Sequence, residues 1–105
     1  MAQILLCGLV SGMTFAAVEN VIYLNFYIPN AAPGIVAWRW SVCVLLHAGC
    51  STLAAFGVAR IWTQFRRGHR MPRLADGAPW LFAAFVLHSL YNLAATLMEA
   101  LGTWI

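Results

Sequence analysis

A few polar side chains stand inside long apolar segments of this 105-residue chain, and their types suit proton transfer and hydrogen bonding. Glu19 lies in the middle of the first apolar segment and is followed by Asn20. His47 and His88 each stand within one of the next two apolar segments, and Asn92 follows His88 after four residues. Such groups cost free energy in hydrocarbon unless they find polar partners. We therefore expect the segments to bring these groups together as a functional site.

The composition shows what kind of element must position them. Hydrophobic residues make up 63% of the chain and charged residues 9%, whereas about a quarter of the residues of a soluble domain are charged. The mean hydropathy is +0.80. Since each helical crossing takes about 20 apolar residues, residues 1–105 have room for three crossings. The sequence predicts one integral membrane domain with an all-α fold, a bundle of three transmembrane helices.

Helix breakers and polar stretches divide the chain into these crossings. We expect helices at about 4–28, 35–62 and 79–102. Two prolines and a glycine between Pro29 and Gly34 end the first helix with a short turn, so the first two helices should be antiparallel neighbours. A polar, basic loop at 63–78 separates the second helix from the third.

The arginines predict the orientation in the membrane. Five of the six lie in or beside the second loop: Arg60, Arg66, Arg67, Arg70 and Arg73. Short arginine-rich loops stay on the cytoplasmic side. The amino terminus and loop 63–78 should then be cytoplasmic and the carboxyl terminus outside, in the plasma (inner) membrane of the cell. The loop can also be interpreted as a patch for anionic lipid headgroups; we expect no nucleic-acid partner.

Residue spacing predicts which helix faces meet. Gly8, Gly12, Phe15 and Glu19 follow one another at steps of four, three and four residues, so they share one stripe of the first helix. A Gly-x-x-x-Gly surface lets two helix backbones approach closely in a membrane. We therefore expect the first helix to pack through the face that carries Glu19.

Distances along the helix axes predict the depth of each group. With a rise of about 1.5 Å per residue, Glu19, His47 and Asn92 are nearly level, roughly 10 to 18 Å below the outer interface. His88 is one turn deeper than Asn92, which disfavours a single metal site with both histidines. A site built from Cys43, Cys50 and His47 is also conceivable, but cysteine zinc sites usually have closely paired ligands.

Two charged residues near the outer ends of the helices allow more than one interpretation. Arg39, between two tryptophans, is expected to extend towards the headgroups. Alternatively, it anchors a substrate carboxylate or pairs with Glu99. Glu99 itself is expected to be interfacial and solvated.

Three short motifs carry a resemblance to a known family. Phe15 to Glu19 resembles the Phe-x-x-x-Glu motif, and His88 to Asn92 resembles the His-x-x-x-Asp/Asn motif, of the PrsW family of intramembrane proteases, in the Abi/CAAX-prenyl-protease superfamily. Cys43 to His47 is similar to the family's Phe-x-x-x-His motif, with cysteine in place of phenylalanine. The family's Glu-Glu-x-x-Lys motif has no counterpart here. We therefore interpret the chain as resembling the carboxyl-terminal catalytic region of such a protein, truncated or reduced.

The resemblance implies an enzyme, an endopeptidase of the metallo or glutamate type, that acts on a membrane-embedded protein or peptide. Glu19 would be the general base or a metal ligand, and His47 and His88 would bind water or metal. Asn92 would stabilise the oxyanion. Two histidines and one glutamate are also a known catalytic zinc set, so Zn²⁺ is the implied cofactor, held by Glu19, His47 and His88.

A non-catalytic function remains open on the sequence alone. In that hypothesis the chain is a multi-pass membrane protein whose polar cluster serves helix assembly, partner binding, or the passage of protons or metal ions. A three-helix bundle has a thin interior, so the expected partners besides the lipid bilayer are further copies of the chain or missing upstream helices.

Overall fold

The computed structural model describes residues 1–68 and 71–103 as helices joined by short turns, and these residues contain no β-strand. Three helices are long and apolar enough to cross a membrane, and they are called here the first, second and third spans: Ala2–Tyr27, Pro33–Gly68 and Ala78–Ala100. Their α-helical and π-helical parts are α1 (Ala2–Ile22), a π segment (Tyr23–Tyr27), α2 (Pro33–Trp38), a π segment (Arg39–Cys43), α3 (Val44–Gly68) and α4 (Ala78–Ala100). The prediction of an all-α bundle of three membrane-spanning helices is confirmed.

Prolines set the span boundaries near the predicted positions. The first span ends at Tyr27, and the backbone of the next residue, Ile28, leaves the helical region just before Pro29. Pro33 occupies the first turn of the second span, and Pro79 that of the third. A proline is tolerated there because the first amide groups of a helix have no partner within it.

The second span is longer than the sequence indicated, because it continues through residues 63–68 instead of stopping at Trp62. The predicted loop begins where the hydropathy falls, but no proline interrupts the helix before Gly68. Arg66 and Arg67 lie in the last turn, where their positive charges stabilise the negative end of the helix dipole. At 36 residues the span is about 54 Å long, against about 30 Å of bilayer hydrocarbon. Its arginine-rich end therefore extends beyond the apolar layer. Arg70 of the predicted loop lies outside the described residues.

The first and second spans pack as antiparallel neighbours through glycine, as predicted. A methyl group added at Gly12 would overlap the backbone oxygen of His47, and one added at Gly8 would overlap Ala55. Only glycine permits this approach of the two backbones. It brings the first span, and with it Glu19, against the helix that carries His47.

The third span packs against the second span at both of its halves and scarcely meets the first. A methyl group at Gly77 would overlap the carbonyl oxygen of Gly57, and the rings of Phe56 and Trp80 lie edge to face with 4.8 Å between centroids. The second span therefore occupies the middle of the bundle. The gap between its two neighbours, lined at its far end by Ile28 and Glu99, is called here the wedge.

Candidate active site

The centre of the polar cluster is a direct contact between the first and second spans. Nε2 of His47 lies 2.9 Å from Oε2 of Glu19, so the imidazole donates to the carboxylate. His47 is buried, whereas 38% of the Glu19 side chain is exposed. Phe15, one turn before Glu19, packs its ring on that of His47, with 5.1 Å between centroids. Residues four apart share a helix face, so the spacing of Phe15 and Glu19 lets both side chains hold the same histidine.

Arg39 joins this cluster, and the expectation that it extends towards the headgroups is wrong. Its Nε donates to Oδ1 of Asn20 over 3.1 Å, and its Nη2 lies 3.4 Å from Oε2 of Glu19. The guanidinium also covers the ring of Tyr23, 3.9 Å from the centroid. The fully buried Asn20 returns a hydrogen bond to the backbone oxygen of Arg39, over 2.9 Å. The polar side chains of Asn20 and Arg39 are thus paired with each other, as burial requires.

The π segment of the second span explains why Arg39 faces inward. In an α-helix a step of four residues turns about 40° beyond a full circle, so two such steps would rotate Arg39 well away from His47. A π turn takes up one more residue, and the step from Arg39 to Cys43 falls short of a full circle instead. The two offsets nearly cancel. Arg39, Cys43 and His47 consequently line the same cavity.

The third span contributes His88 and Asn92. The imidazole rings of His88 and His47 are in contact, with 4.9 Å between centroids, so the one-turn difference in depth does not separate them. Nδ2 of Asn92 lies 3.3 Å from Nδ1 of His88. Because the amide donates to Nδ1, the proton of a neutral His88 ring is on Nε2. Glu19, His47, His88 and Asn92 therefore form a chain of contacts across all three spans.

A second link between the second and third spans involves Tyr91. Its hydroxyl accepts a hydrogen bond from Nε1 of Trp38 over 3.0 Å and lies 2.8 Å from Sγ of Cys43. The Cys43 thiol is buried beside this hydroxyl. Tyr91 thus ties the third span to the second near the cluster.

The wedge between the spans is a cavity of about 550 Å³ that reaches from the cluster to the far ends of the helices. The polar groups among its lining residues include Glu19, His47 and Asn92, and the remainder of the wall is largely aromatic and aliphatic. Its lining residues are Glu19, Tyr23, Ile28, Ile35, Trp38, Arg39, Cys43, His47, Tyr91, Asn92, Ala95, Thr96 and Glu99. A site of this kind, apolar with a few convergent polar groups, is suited to bind an apolar peptide.

Glu19, His47 and His88 have the donor types of a catalytic zinc site, and each contacts the next in the series. Within residues 1–68 and 71–103, however, no three His, Cys, Asp or Glu side chains are arranged as ligands of one ion. Oε2 of Glu19 interacts instead with His47 and Arg39. The donor chemistry fits Zn²⁺, whereas the arrangement is that of a hydrogen-bonded cluster.

Sequence reasoning missed Arg39 and Tyr91 as parts of this cluster, whereas Asn20 was among the polar groups expected there. The available signal for Arg39 was its place inside an apolar helix, since an arginine is not buried in a bilayer without a partner. Arg39 was assigned to the interface because it is flanked by tryptophans. Tyr91 gave no signal, since a lone tyrosine beside an asparagine is common in helix packing.

Comparison with known families agrees with the motifs. The family model described as PrsW family intramembrane metalloprotease matches residues 3–105, nearly the whole chain. Searches of the curated proteins and of the solved structures found no match. With the three motifs meeting in one cluster and the match extending over all three spans, the chain belongs to the PrsW family of intramembrane metalloproteases.

Proposed function

We propose that this chain hydrolyses peptide bonds of a membrane-embedded substrate, with Glu19, His47, His88 and Asn92 as its catalytic residues. The observation that carries the proposal is the hydrogen bond between Glu19 and His47, which borders a cavity large enough for a peptide segment. The family relationship supports the same reaction class.

Glu19 is suited to act as the general base. The hydrogen bonds to its carboxylate from His47 and Arg39 both end on Oε2, and Oε1 accepts none from the part of the chain that the structure describes. Oε1 can therefore take a proton from water as the water oxygen attacks the substrate carbonyl carbon. The same proton can then pass to the amide nitrogen as the carbon–nitrogen bond breaks. Glu19 is returned to its starting state.

His88 and Asn92 are suited to stabilise the oxyanion that forms in this attack. The Nε2–H of His88 and the second N–H of the Asn92 amide remain available, because the Asn92–His88 bond uses only one amide proton and Nδ1. Preorganised donors of this kind typically contribute 10²–10³ in rate each. His47 would orient Glu19, since its Nε2–H is committed to the carboxylate.

As the alternative to this metal-free mechanism, we propose Zn²⁺ as the cofactor, with Glu19, His47 and His88 as its ligands in place of the roles given above. The support is the donor set and the family's description as a metalloprotease. When bound, the ion supplies Lewis acidity towards water and the substrate carbonyl. Binding it requires Glu19 to exchange its contacts with His47 and Arg39 for the ion.

The distribution of arginines supports the orientation proposed above. Arg60, Arg66, Arg67 and Arg73 are all exposed and lie at or beyond the end of the second span that is farthest from the cavity. With that end in the cytoplasm, the cavity opens towards the outer face, and a substrate reaches it there. The third span is exposed along most of its length, which leaves a surface for a second copy or for further helices.

A second function, structural assembly of the helices, is favoured by the Arg39 network. Arg39 and Asn20 exchange two hydrogen bonds, and Arg39 also meets Glu19, so the cluster joins the first two spans whether or not it catalyses a reaction. The two functions predict different results when Glu19 is substituted. Loss of cleavage in a folded chain indicates catalysis, and loss of folding alone indicates assembly.

The test is cleavage of fluorescent single-span peptides by the reconstituted chain. We expect Glu19→Gln and His47→Ala to lower kcat by about 10²–10⁴, whereas Asp76→Asn, which removes a carboxylate outside the spans, has no such effect. Thermal unfolding of the same variants shows whether they remain folded. Wild-type chain that cleaves no peptide contradicts the proposal.

Metal analysis of the purified chain tests the zinc ligands separately. Stoichiometric zinc in the wild type and in Asp76→Asn, but not in Glu19→Gln, His47→Ala or His88→Ala, is the expected result. Cleavage without bound zinc would refute the metal mechanism and retain the glutamate mechanism.

A further inference from the structure

The far end of the cavity carries a carboxylate that the proposed chemistry does not use. Glu99 lines the cavity, is exposed, and its carboxylate forms no hydrogen bond or ion pair with the other residues that the structure describes. It stands in the last turn of the third span. The end of a span lies near the membrane interface, where a carboxylate is accessible to a cationic group.

The charges inside the cavity leave Glu99 unbalanced. The other charged residues that line the cavity are Arg39 and Glu19, and these two form an ion pair with each other. Arg39 is further engaged by Asn20 and by the ring of Tyr23. The net charge of the lining is therefore negative and is concentrated at Glu99. A ligand that enters with a positive charge at that end is favoured electrostatically.

The distance from the reaction centre fixes where on a substrate that charge would lie. Asn92 and Glu99 are seven residues apart on one face of the third span, which is roughly 10 Å along the axis. An extended peptide covers about 3.3 Å per residue. A group bound at Glu99 thus belongs to a residue about three positions from the carbonyl that meets Asn92.

The wall between these points is mostly apolar. It includes Ile28, Ile35, Trp38 and Ala95, and the hydroxyl of Thr96 is bonded to the backbone of Asn92, so the peptide between the two polar points contacts mainly aliphatic and aromatic side chains. This pattern matches the end of a transmembrane segment, where apolar residues give way to the first charged residue at the interface.

Resting on the proposed proteolysis, we infer that Glu99 is a specificity-determining residue that binds a lysine or arginine just outside the substrate's transmembrane segment. The basic side chain pairs with the Glu99 carboxylate, and the apolar residues before it fill the wedge between the first and third spans. The bond presented to Glu19 is then about three residues inward from the basic residue.

Binding of model peptides tests this inference without requiring cleavage. The probes are fluorescent peptides with an apolar core of twenty Leu and Ala residues, followed by either Lys or Gln. The full chain, carrying His88→Ala to prevent turnover while keeping the Glu19–Arg39 pair, is placed in nanodiscs of zwitterionic lipid. We expect the Lys peptide to bind about tenfold more tightly than the Gln peptide, with a preference that falls as salt is raised.

Substitutions at Glu99 give the decisive comparison. Glu99→Gln should abolish the preference, and Glu99→Lys should transfer it to a peptide that carries Glu in place of Lys. Asp76→Asn removes the same charge near the other end of the third span and should leave the preference intact. An undiminished preference in Glu99→Gln, or equal or absent binding of both peptides by the parent chain, would overturn the inference.

The result is separable from that of the cleavage assay. Cleavage that depends on Glu19 without any preference for Lys refutes the Glu99 subsite alone. A preference for Lys that depends on Glu99, in a chain that cleaves nothing, supports the subsite and refutes the protease. A photoreactive residue three positions inward from the Lys should label the Glu19–Asn92 level of the cavity, and labelling elsewhere contradicts the predicted spacing.

Discussion

Arg39 and Glu19, on neighbouring membrane-spanning helices, form an ion pair with 3.4 Å between Nη2 and Oε2. The same guanidinium donates to the buried Asn20 and covers the ring of Tyr23. It therefore holds the first span in register with the second while Glu19 still reaches His47. This one side chain links the stability of the bundle to the geometry of the candidate active site.

Replacing Arg39 should destabilise the chain. Arg39→Gln removes the ion pair, the bond to the fully buried Asn20 and the contact with Tyr23, and we expect the free energy of unfolding to fall by about 1–3 kcal/mol. Arg39→Lys keeps the charge but not the forked geometry of the guanidinium, so the free energy of unfolding should fall by less than in Arg39→Gln. The measurement is unfolding by SDS titration in mixed micelles. Arg60→Gln, at an exposed arginine of the same span, should stay within about 0.5 kcal/mol of the wild type.

Glycine at the crossing of the first two spans should be irreplaceable. The methyl group of Gly12→Ala would overlap the backbone oxygen of His47 and come within 2.8 Å of Ser51. The helices must separate, which we expect to cost about 1–3 kcal/mol and to lower cleavage by moving Glu19 from His47. The matched control is Gly49→Ala, where nothing lies within 4 Å of the added group. An equal loss of stability in Gly12→Ala and Gly49→Ala would contradict the packing described here.

Removal of one hydroxyl should loosen the third span. Tyr91→Phe loses the bonds to Trp38 and Cys43, and we expect a loss of about 0.5–1.5 kcal/mol in the free energy of unfolding. The thiol of Cys43, which is buried beside this hydroxyl, should then react faster with a maleimide, as read by mass spectrometry. Tyr27→Phe is the control, since Tyr27 is exposed and its ring stacks on that of Tyr23 within the first span. An unchanged labelling rate in Tyr91→Phe would show that the hydroxyl does not fasten the span.

Asn92 should affect the chemical step more than substrate binding. Asn92→Leu removes the proposed donor to the oxyanion and the bond to Nδ1 of His88, so kcat should fall about 10²–10³-fold with little change in KM. Nitrogen NMR of labelled histidine gives an independent readout, because the wild type should carry the His88 proton on Nε2 and the variant should lose that preference. Asn25→Leu, which breaks only a bond to the backbone of its own helix, should leave both readouts unchanged. A rise in KM at constant kcat would indicate instead that Asn92 binds substrate.

The sequence by itself determined the class of fold and most of the span boundaries. Membrane insertion depends on the summed hydropathy of about 20 consecutive residues and on nearby prolines, and both can be read locally. The Gly8–Gly12 contact followed from spacing alone, since these glycines share a helix face. The end of the second span could not be predicted in this way, because the apolar stretch ends at Trp62 whereas the helix continues to Gly68.

The tertiary structure decided which polar groups meet. The sequence placed Glu19, His47 and Asn92 at one depth, but the rotation of each helix about its axis depends on packing against its neighbours. The inward position of Arg39 depends on a π turn, which has no distinct hydropathy pattern and changes the helical period over only a few residues. The cavity that ends at Glu99 is lined by residues of all three spans, a relationship between helices that no single segment encodes.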